Sequence, residues 1–244
     1  MNLKSFLTVC GLVAFIGCGS SGPREVVEEK YPSGANKVVV VYDGKDTLRA
    51  TYFFEDGKIQ SDRFYKESKL DSVMVINNKD GQTIQECHYK EGKKHGTEKE
   101  FYDDGTLKSE TTYENDAPVG KSVSYYEDGQ IMQETSYANG KKDGKETVYY
   151  PNGKIKHVRH YKAGNMEGLE QEFFETGKVK VENNWKDNYL DGTFVTYHPN
   201  GKKEETGTYK EGAYDGTRTM YNKFGGKVSE AYYENGERTG GQVF

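Results

Sequence analysis

The strongest constraint on this chain is a fixed period. Let the glycine of each Asp-Gly, Asn-Gly or similar pair be position 0. These glycines are Gly57, Gly81, Gly105, Gly129, Gly153, Gly177, Gly201 and Gly225, each 24 residues after the last, and Gly34 opens an earlier unit one residue shorter. Position 8 is aromatic in all nine units: Tyr42, Tyr65, Tyr89, Tyr113, Tyr137, Tyr161, Trp185, Tyr209 and Tyr233. A second glycine stands at position 15 in seven units, from Gly96 to Gly240, and a second aromatic at position 20 in six, as in Phe101, Tyr125 and Tyr149. Self-similarity at such a period means one supersecondary unit stacked on its neighbours.

The unit reads as a β-hairpin. Pairs such as Asp104-Gly105 and Asn152-Gly153 suit a tight turn with a residue at positive φ, and Pro151 and Pro199 just before two of them fit a turn there. A strand of about nine residues follows, such as Lys154 to Tyr161. A Gly-rich connection is expected next, as in Lys90-Glu91-Gly92-Lys93-Lys94-His95-Gly96, then a shorter second strand ending in an aromatic pair. No sustained 3.6-residue pattern exists after the N-terminal segment, so almost no helix is expected. Strand side chains alternate between faces. Even positions of the first strand carry the aromatic at 8 and an aliphatic at 2 (Ile59, Leu107, Ile131, Ile155, Val179). Odd positions carry Lys and Glu. Strict alternation therefore predicts one apolar face holding a seam of stacked rings and one face of alternating charge. The fold class expected is all-β: an elongated single-layer antiparallel β-meander of about nine 24-residue hairpins.

Composition agrees with a thin core. Only 33% of residues are hydrophobic and 30% are charged, yet there are 20 Tyr and 11 Phe. Five leucines after residue 20 are too few for the branched-aliphatic interior of an ordinary α/β enzyme. A disordered chain would be poor in rings. The 34 basic and 39 acidic residues nearly cancel, which gives no electrostatic basis for nucleic-acid binding.

The N-terminus has a different character. Lys4 precedes an uncharged, largely apolar run from Phe6 to Ile16, then Gly17-Cys18-Gly19-Ser20. The run has the length of a signal-peptide core and is too short to span a bilayer. Residues 1–17 resemble a bacterial lipoprotein signal, with Cys18 as the lipidated residue. The expected division is 1–17 signal, 18–30 flexible tether, and 31–244 repeat domain. The expected location is the cell envelope, with the outer membrane favoured because Gly19 follows the lipid-bearing Cys where some bacteria place a retention Asp. Cys87 has no partner within the domain and reads as a small core residue.

The segment Tyr89-Lys-Glu-Gly-Lys-Lys-His-Gly96, leading through Phe101-Tyr102 to Asp103-Asp104-Gly105, resembles the MORN repeat, and the Gly-Lys-Ile-Lys start at 153–156 resembles its bacterial variant. The likeness covers about residues 31–244. It implies an extended meander of hairpins that binds or scaffolds, and many bacterial members carry an antitoxin label of the YwqK type. The irregular units from Gly34 and Gly57 read as N-terminal caps, and Val243-Phe244 as an exposed edge.

No Ser-His-Asp or Cys-His arrangement is visible, and no glycine-rich phosphate loop opens a helix. His157 and His160, three apart on a strand, face opposite sides and do not share an ion. No catalytic residue, cofactor or metal site is therefore expected, and the protein is not expected to be an enzyme. The candidate binding residues are the position-8 rings Tyr113, Tyr137, Tyr161, Trp185 and Tyr209, which serve either as core or as a surface that grips a ligand. The expected function is a lipid-anchored scaffold for a protein partner, touching the membrane only through its lipid. The alternatives are an antitoxin or immunity protein and a wall- or surface-glycan module.

Overall fold

In a computed structural model, residues 22–244 are described, and they form one open antiparallel sheet with no helix among them. The strands are β1 (Arg24–Lys30), β2 (Asn36–Asp43), β3 (Asp46–Phe53), β4 (Ile59–Lys66), β5 (Lys69–Asn77), β6 (Thr83–Lys90) and β7 (Lys93–Phe101). They continue with β8 (Leu107–Glu114), β9 (Ala117–Tyr125), β10 (Ile131–Ala138), β11 (Lys141–Tyr149), β12 (Ile155–Lys162), β13 (Asn165–Met166) and β14 (Gly168–Phe173). The last are β15 (Val179–Lys186), β16 (Tyr189–Tyr197), β17 (Lys203–Lys210), β18 (Ala213–Tyr214), β19 (Gly216–Tyr221), β20 (Lys227–Glu234) and β21 (Glu237–Val243). Each strand pairs with its neighbours in sequence. β13 with β14, and β18 with β19, each fill one strand position, so the expected meander is what forms.

Two turns alternate. At position 0 the chain makes a three-residue loop: the Gly105 N–H donates to the Tyr102 carbonyl (2.9 Å), the Tyr102 N–H to the Thr106 carbonyl (2.8 Å), and Asp104 Oδ1 accepts from the Thr106 N–H (2.8 Å). The other turn is a two-residue one. Asn139 and Gly140 both have positive φ (50° and 77°), and Ala138 pairs directly with Lys141. Such a turn matches the twist of the strands it joins. The long Gly-rich connection expected from the sequence is therefore only two residues, and the second strand is nine residues long, as in Lys93–Phe101. The glycine at position 15 lies within this strand. Gly144, at φ 98°, forms a β-bulge where Thr135 pairs with Glu146 but Tyr137 pairs with Lys142.

A second bulge corrects the face assignment. Ile131 lies opposite Tyr125, yet Gln133 lies opposite Ser124, so one extra residue enters the strand start. That residue reverses the alternation between positions 2 and 4. The position-2 aliphatics share a face with the position-20 aromatics (Leu107 opposite Phe101, Ile131 opposite Tyr125, Ile155 opposite Tyr149), not with the position-8 rings. Rings thus stand on both faces. We call the face of the position-8 rings the seam face and the other the ladder face.

The segment expected as a tether is partly structured. Arg24–Lys30 forms β1 and pairs with β2, because its Val26 and Val27 sit opposite Val40 and Val39. The rest of the expected tether before residue 22, and Cys18, lie outside the described residues. At the other end β21 pairs with β20 alone, and Val243 and Phe244 are 83% and 62% exposed.

Successive repeats are tied at both edges. Tyr102, Tyr126 and Tyr150 each donate a hydroxyl to a carbonyl one repeat on, those of Tyr125, Tyr149 and Phe173, at 2.6–2.8 Å. At the opposite edge Asp143 and Asp191 accept from the backbone N–H of Ala163 (3.0 Å) and Glu211 (3.1 Å), which open the next two-residue turns. Glu211 holds φ 49°, a left-handed conformation that costs a branched-out L-residue about 1–2 kcal/mol and that Asn adopts readily. Glu211→Asn is expected to raise stability by about 0.5–1 kcal/mol, read as a higher urea midpoint at unchanged slope.

Candidate functional site

The seam face is built from positions 4, 6, 8, 13 and 17, which the two bulges bring side by side. Where alternation predicted an apolar face with a seam of stacked rings, the structure places a hydrogen-bonded ionic chain. Glu146 on β11 has a side chain only 3% exposed. It pairs with Lys142 and, at 3.6 Å, with Arg159, and it accepts from Gln133 (3.1 Å), Thr135 (3.3 Å) and the Tyr161 hydroxyl (3.4 Å). Arg159 reaches on to Glu170 at 2.9 Å, and Glu170 also accepts from Asn183 (3.2 Å) and the Trp185 indole N–H (2.8 Å). Nearer the N-terminus Glu98, 8% exposed, is held by Lys94 (2.6 Å) and Gln85 (2.8 Å). Carboxylates this buried are tolerated because each has several donors.

The five candidate rings Tyr113, Tyr137, Tyr161, Trp185 and Tyr209 all lie on this face, half-buried. They do not stack on one another. Lys94 Nζ sits 4.9 Å from the centre of the Tyr113 ring, and Lys142 Nζ the same distance from Tyr161, so cation–π contacts interleave the column. Among the described residues, ring-on-ring packing is confined to the C-terminal part, where Phe194, Tyr209, Tyr214 and Tyr233 follow one another at 4.5–5.1 Å. There Phe194 replaces the buried glutamate of position 17. Its ring requires Gly207, since a Cβ there would lie 2.5 Å from Phe194 Cε1. Burial pushes the Tyr161 hydroxyl and the Cys87 thiol up. Cys87 is 1% exposed, a position that keeps a thiol unreactive.

The ladder face carries the position-2 aliphatics, the position-20 rings and the position-5 acids. Glu134 is paired with Lys121 and accepts from the Tyr149 hydroxyl (3.1 Å), while Glu182 accepts from the Tyr197 hydroxyl (2.9 Å) and Gln171 (2.9 Å). Over β4–β6 this face opens into an apolar groove of about 600 Å³ lined by Ile59, Phe64, Val73 and Val75, with Asp62, Glu86 and His88. Sequence alternation missed it, because it assigned Ile59 to the opposite face. Among the described residues no three His, Cys, Asp or Glu side chains converge as a metal site would require.

The seam yields two expectations. Burial by itself would raise the Glu170 pKa, but the hydrogen bonds from Arg159, Asn183 and Trp185 outweigh it and hold the carboxyl below the usual range. A depressed folded pKa contributes stability that is present above the unfolded value, near 4.3, and is lost as pH falls through the folded one. Trp185 is the only tryptophan, so its emission should report loosening of the seam below about pH 4, and Glu170→Gln should flatten that acid limb of stability. Gly207→Ala should cost about 1–3 kcal/mol by overpacking against Phe194, and much less when combined with Phe194→Leu.

The comparisons fit this repeat. The chain matches the family described as "MORN repeat variant" at residues 47–67, 94–115, 118–139, 142–163, 166–187 and 190–211, which together exceed half its length. No curated protein matches it significantly. A chain of the solved structure "Crystal Structure of TcdB2-TccC3-Cdc42" aligns at 10% identity and a TM-score of 0.15, over 88% of this chain and 17% of that one, a likeness that carries no argument. The matched segments each run from one two-residue turn to the next, which is the spacing at which the edges are tied. The chain therefore belongs to the MORN repeat variant family.

Proposed function

We propose that the protein is a lipid-anchored component of the cell envelope, fixed through Cys18 and favouring the outer membrane, that presents its repeat sheet to a protein partner without catalysing a reaction. The observation that carries this reading is the ladder face. It is a long surface on which aliphatic and aromatic side chains recur, several of them large and exposed, including Ile59 and Ile131 at 37% each. No second layer of the described chain covers it. Repeat arrays of this kind make extended contact surfaces, and apolar surface of this extent usually meets a partner. The seam-face rings argue less for ligand contact, because Trp185 and Tyr161 already donate to buried glutamates.

Membrane association follows from the sequence around Cys18 and is tested by fractionation. Cys18→Ser is expected to move the protein from the membrane to the soluble fraction without changing its fold. The partner is tested by photo-crosslinking in intact cells from ladder-face positions such as Ile131. A discrete protein adduct, absent when crosslinkers are placed on the seam face, is the expected result. Recovery of wall or capsular glycan in its place supports the glycan-binding reading. Capture of a co-encoded toxin supports an immunity role within the same binding function.

A further inference from the structure

The ladder face repeats a small motif in which both partner positions are apolar at one acid, Glu86; Glu110 also forms no hydrogen bond or ion pair among the described residues but keeps hydroxyl-bearing Thr97 and Tyr125 at those positions. Position 5 is acidic in most units, and at Glu134 its partners come from position 16 of the preceding unit and position 20 of its own, Lys121 and Tyr149. Glu182 keeps the ring hydroxyl, from Tyr197, and gains Gln171. Asp62 is held by Arg49 at 2.8 and 2.6 Å and by Thr51 at 2.9 Å. For Glu86 the corresponding residues are Val73 and Phe101, which have no donor. Lys99 stands opposite Glu86 on β7 without forming an ion pair with it. Glu86 is half-buried and lies in the groove of about 600 Å³ beside Ile59, Phe64, Val73 and Val75, whose lining contains no lysine or arginine.

A carboxylate with its usual donors replaced by apolar groups, set in an apolar trough, is complementary to a cation carried on an apolar stem. We propose that this groove receives a segment of a protein partner in which a lysine or arginine is flanked by aliphatic residues, the cation seated on Glu86. The aliphatic flanks pack on Ile59, Phe64 and Val75. Asp62, already satisfied by Arg49, marks the acidic rim. The proposal deepens the protein-binding function above and rests on that reading for its biological partner.

The repeat supplies its own control. Val73→Lys recreates at Glu86 the lysine that Glu134 has in Lys121, and Phe101→Tyr recreates the hydroxyl of Tyr149. Both follow the pattern of neighbouring repeats, so both are expected to fold with unchanged or raised melting temperatures. The probe is a phage-displayed library of random nonapeptides panned against the full-length chain. Enriched peptides should share a Lys or Arg between aliphatic residues. They should bind at least tenfold more weakly to Glu86→Gln and to Val73→Lys, whereas the same changes in the ladder elsewhere, such as Glu182→Gln, leave binding intact. Failure to enrich, enrichment without a cationic residue, or equal binding to Val73→Lys would each overturn the groove. The cellular crosslinking separates this failure from the broader one. A protein adduct that persists with Val73→Lys refutes the groove and keeps the protein-binding function, while absence of any protein adduct refutes that function itself.

Discussion

A sheet one layer thick has no opposing layer to bury its side chains. Everything else in this molecule follows from that constraint. Large side chains must cover one another along the sheet, so each repeat is completed by the next. The Tyr126 hydroxyl reaches the Tyr149 carbonyl, Asp191 holds the turn that Glu211 opens, and the Lys154 ammonium reaches the Thr176 carbonyl. These contacts recur at one-repeat spacing, and they explain why the spacing is strict. A single insertion would strain the ties that span it, although the unit from Gly34, one residue shorter, still keeps the tie from the Tyr31 hydroxyl to the Phe53 carbonyl at 2.9 Å. It would also invert the faces beyond it, since the side-chain period of a strand is two.

That same two-residue period explains what could be read from sequence and what could not. The hairpin grammar, the single layer and the near absence of helix were legible because turn chemistry and ring spacing are local. The face of Ile131 was not, because a bulged residue between it and Gln133 leaves no trace in the alternation of residue types. Gly96 looked like part of a loop because a glycine at positive φ serves a turn and a bulge equally well. The fragment at Arg24–Lys30 reads as polar, but its Val26 and Val27 need only one partner strand to become an edge. The Cys87 reading agrees with its burial. The five position-8 rings are placed together on one face, but residue alternation carries no sign that lysines sit between them.

The seam shows two solutions to one packing problem. At Glu98, Glu146 and Glu170 the space beneath the rings is filled by carboxylates that bind Lys, Arg, Gln and Trp donors. At β16 the carboxylate is replaced by Phe194, and the residue facing it shrinks to Gly207. Volume is conserved across the pair while polarity changes, as close packing requires. The ionic version demands that every partner be present, because a buried carboxylate stripped of its donors is costly. The aromatic version demands shape alone. A seam assembled from both can vary in sequence as long as each site is internally complete, and this accounts for position 17 being occupied variously by Met, Glu, Ser, Phe, Arg and Gln while position 8 stays aromatic.

Completeness also distinguishes structure from function in such an array. A repeat that satisfies all its polar groups offers a partner apolar and ring surface but no free charge. Binding capacity accumulates where the pattern is broken without internal compensation. Gly207 compensates for Phe194, so that departure is closed within the fold. Gln171 compensates for the lysine that Glu182 lacks. Val73 and Phe101 remove two donors from Glu86, and no residue of the described chain replaces them in the groove. This departure leaves a charge, an apolar surface and room for a side chain in the same place.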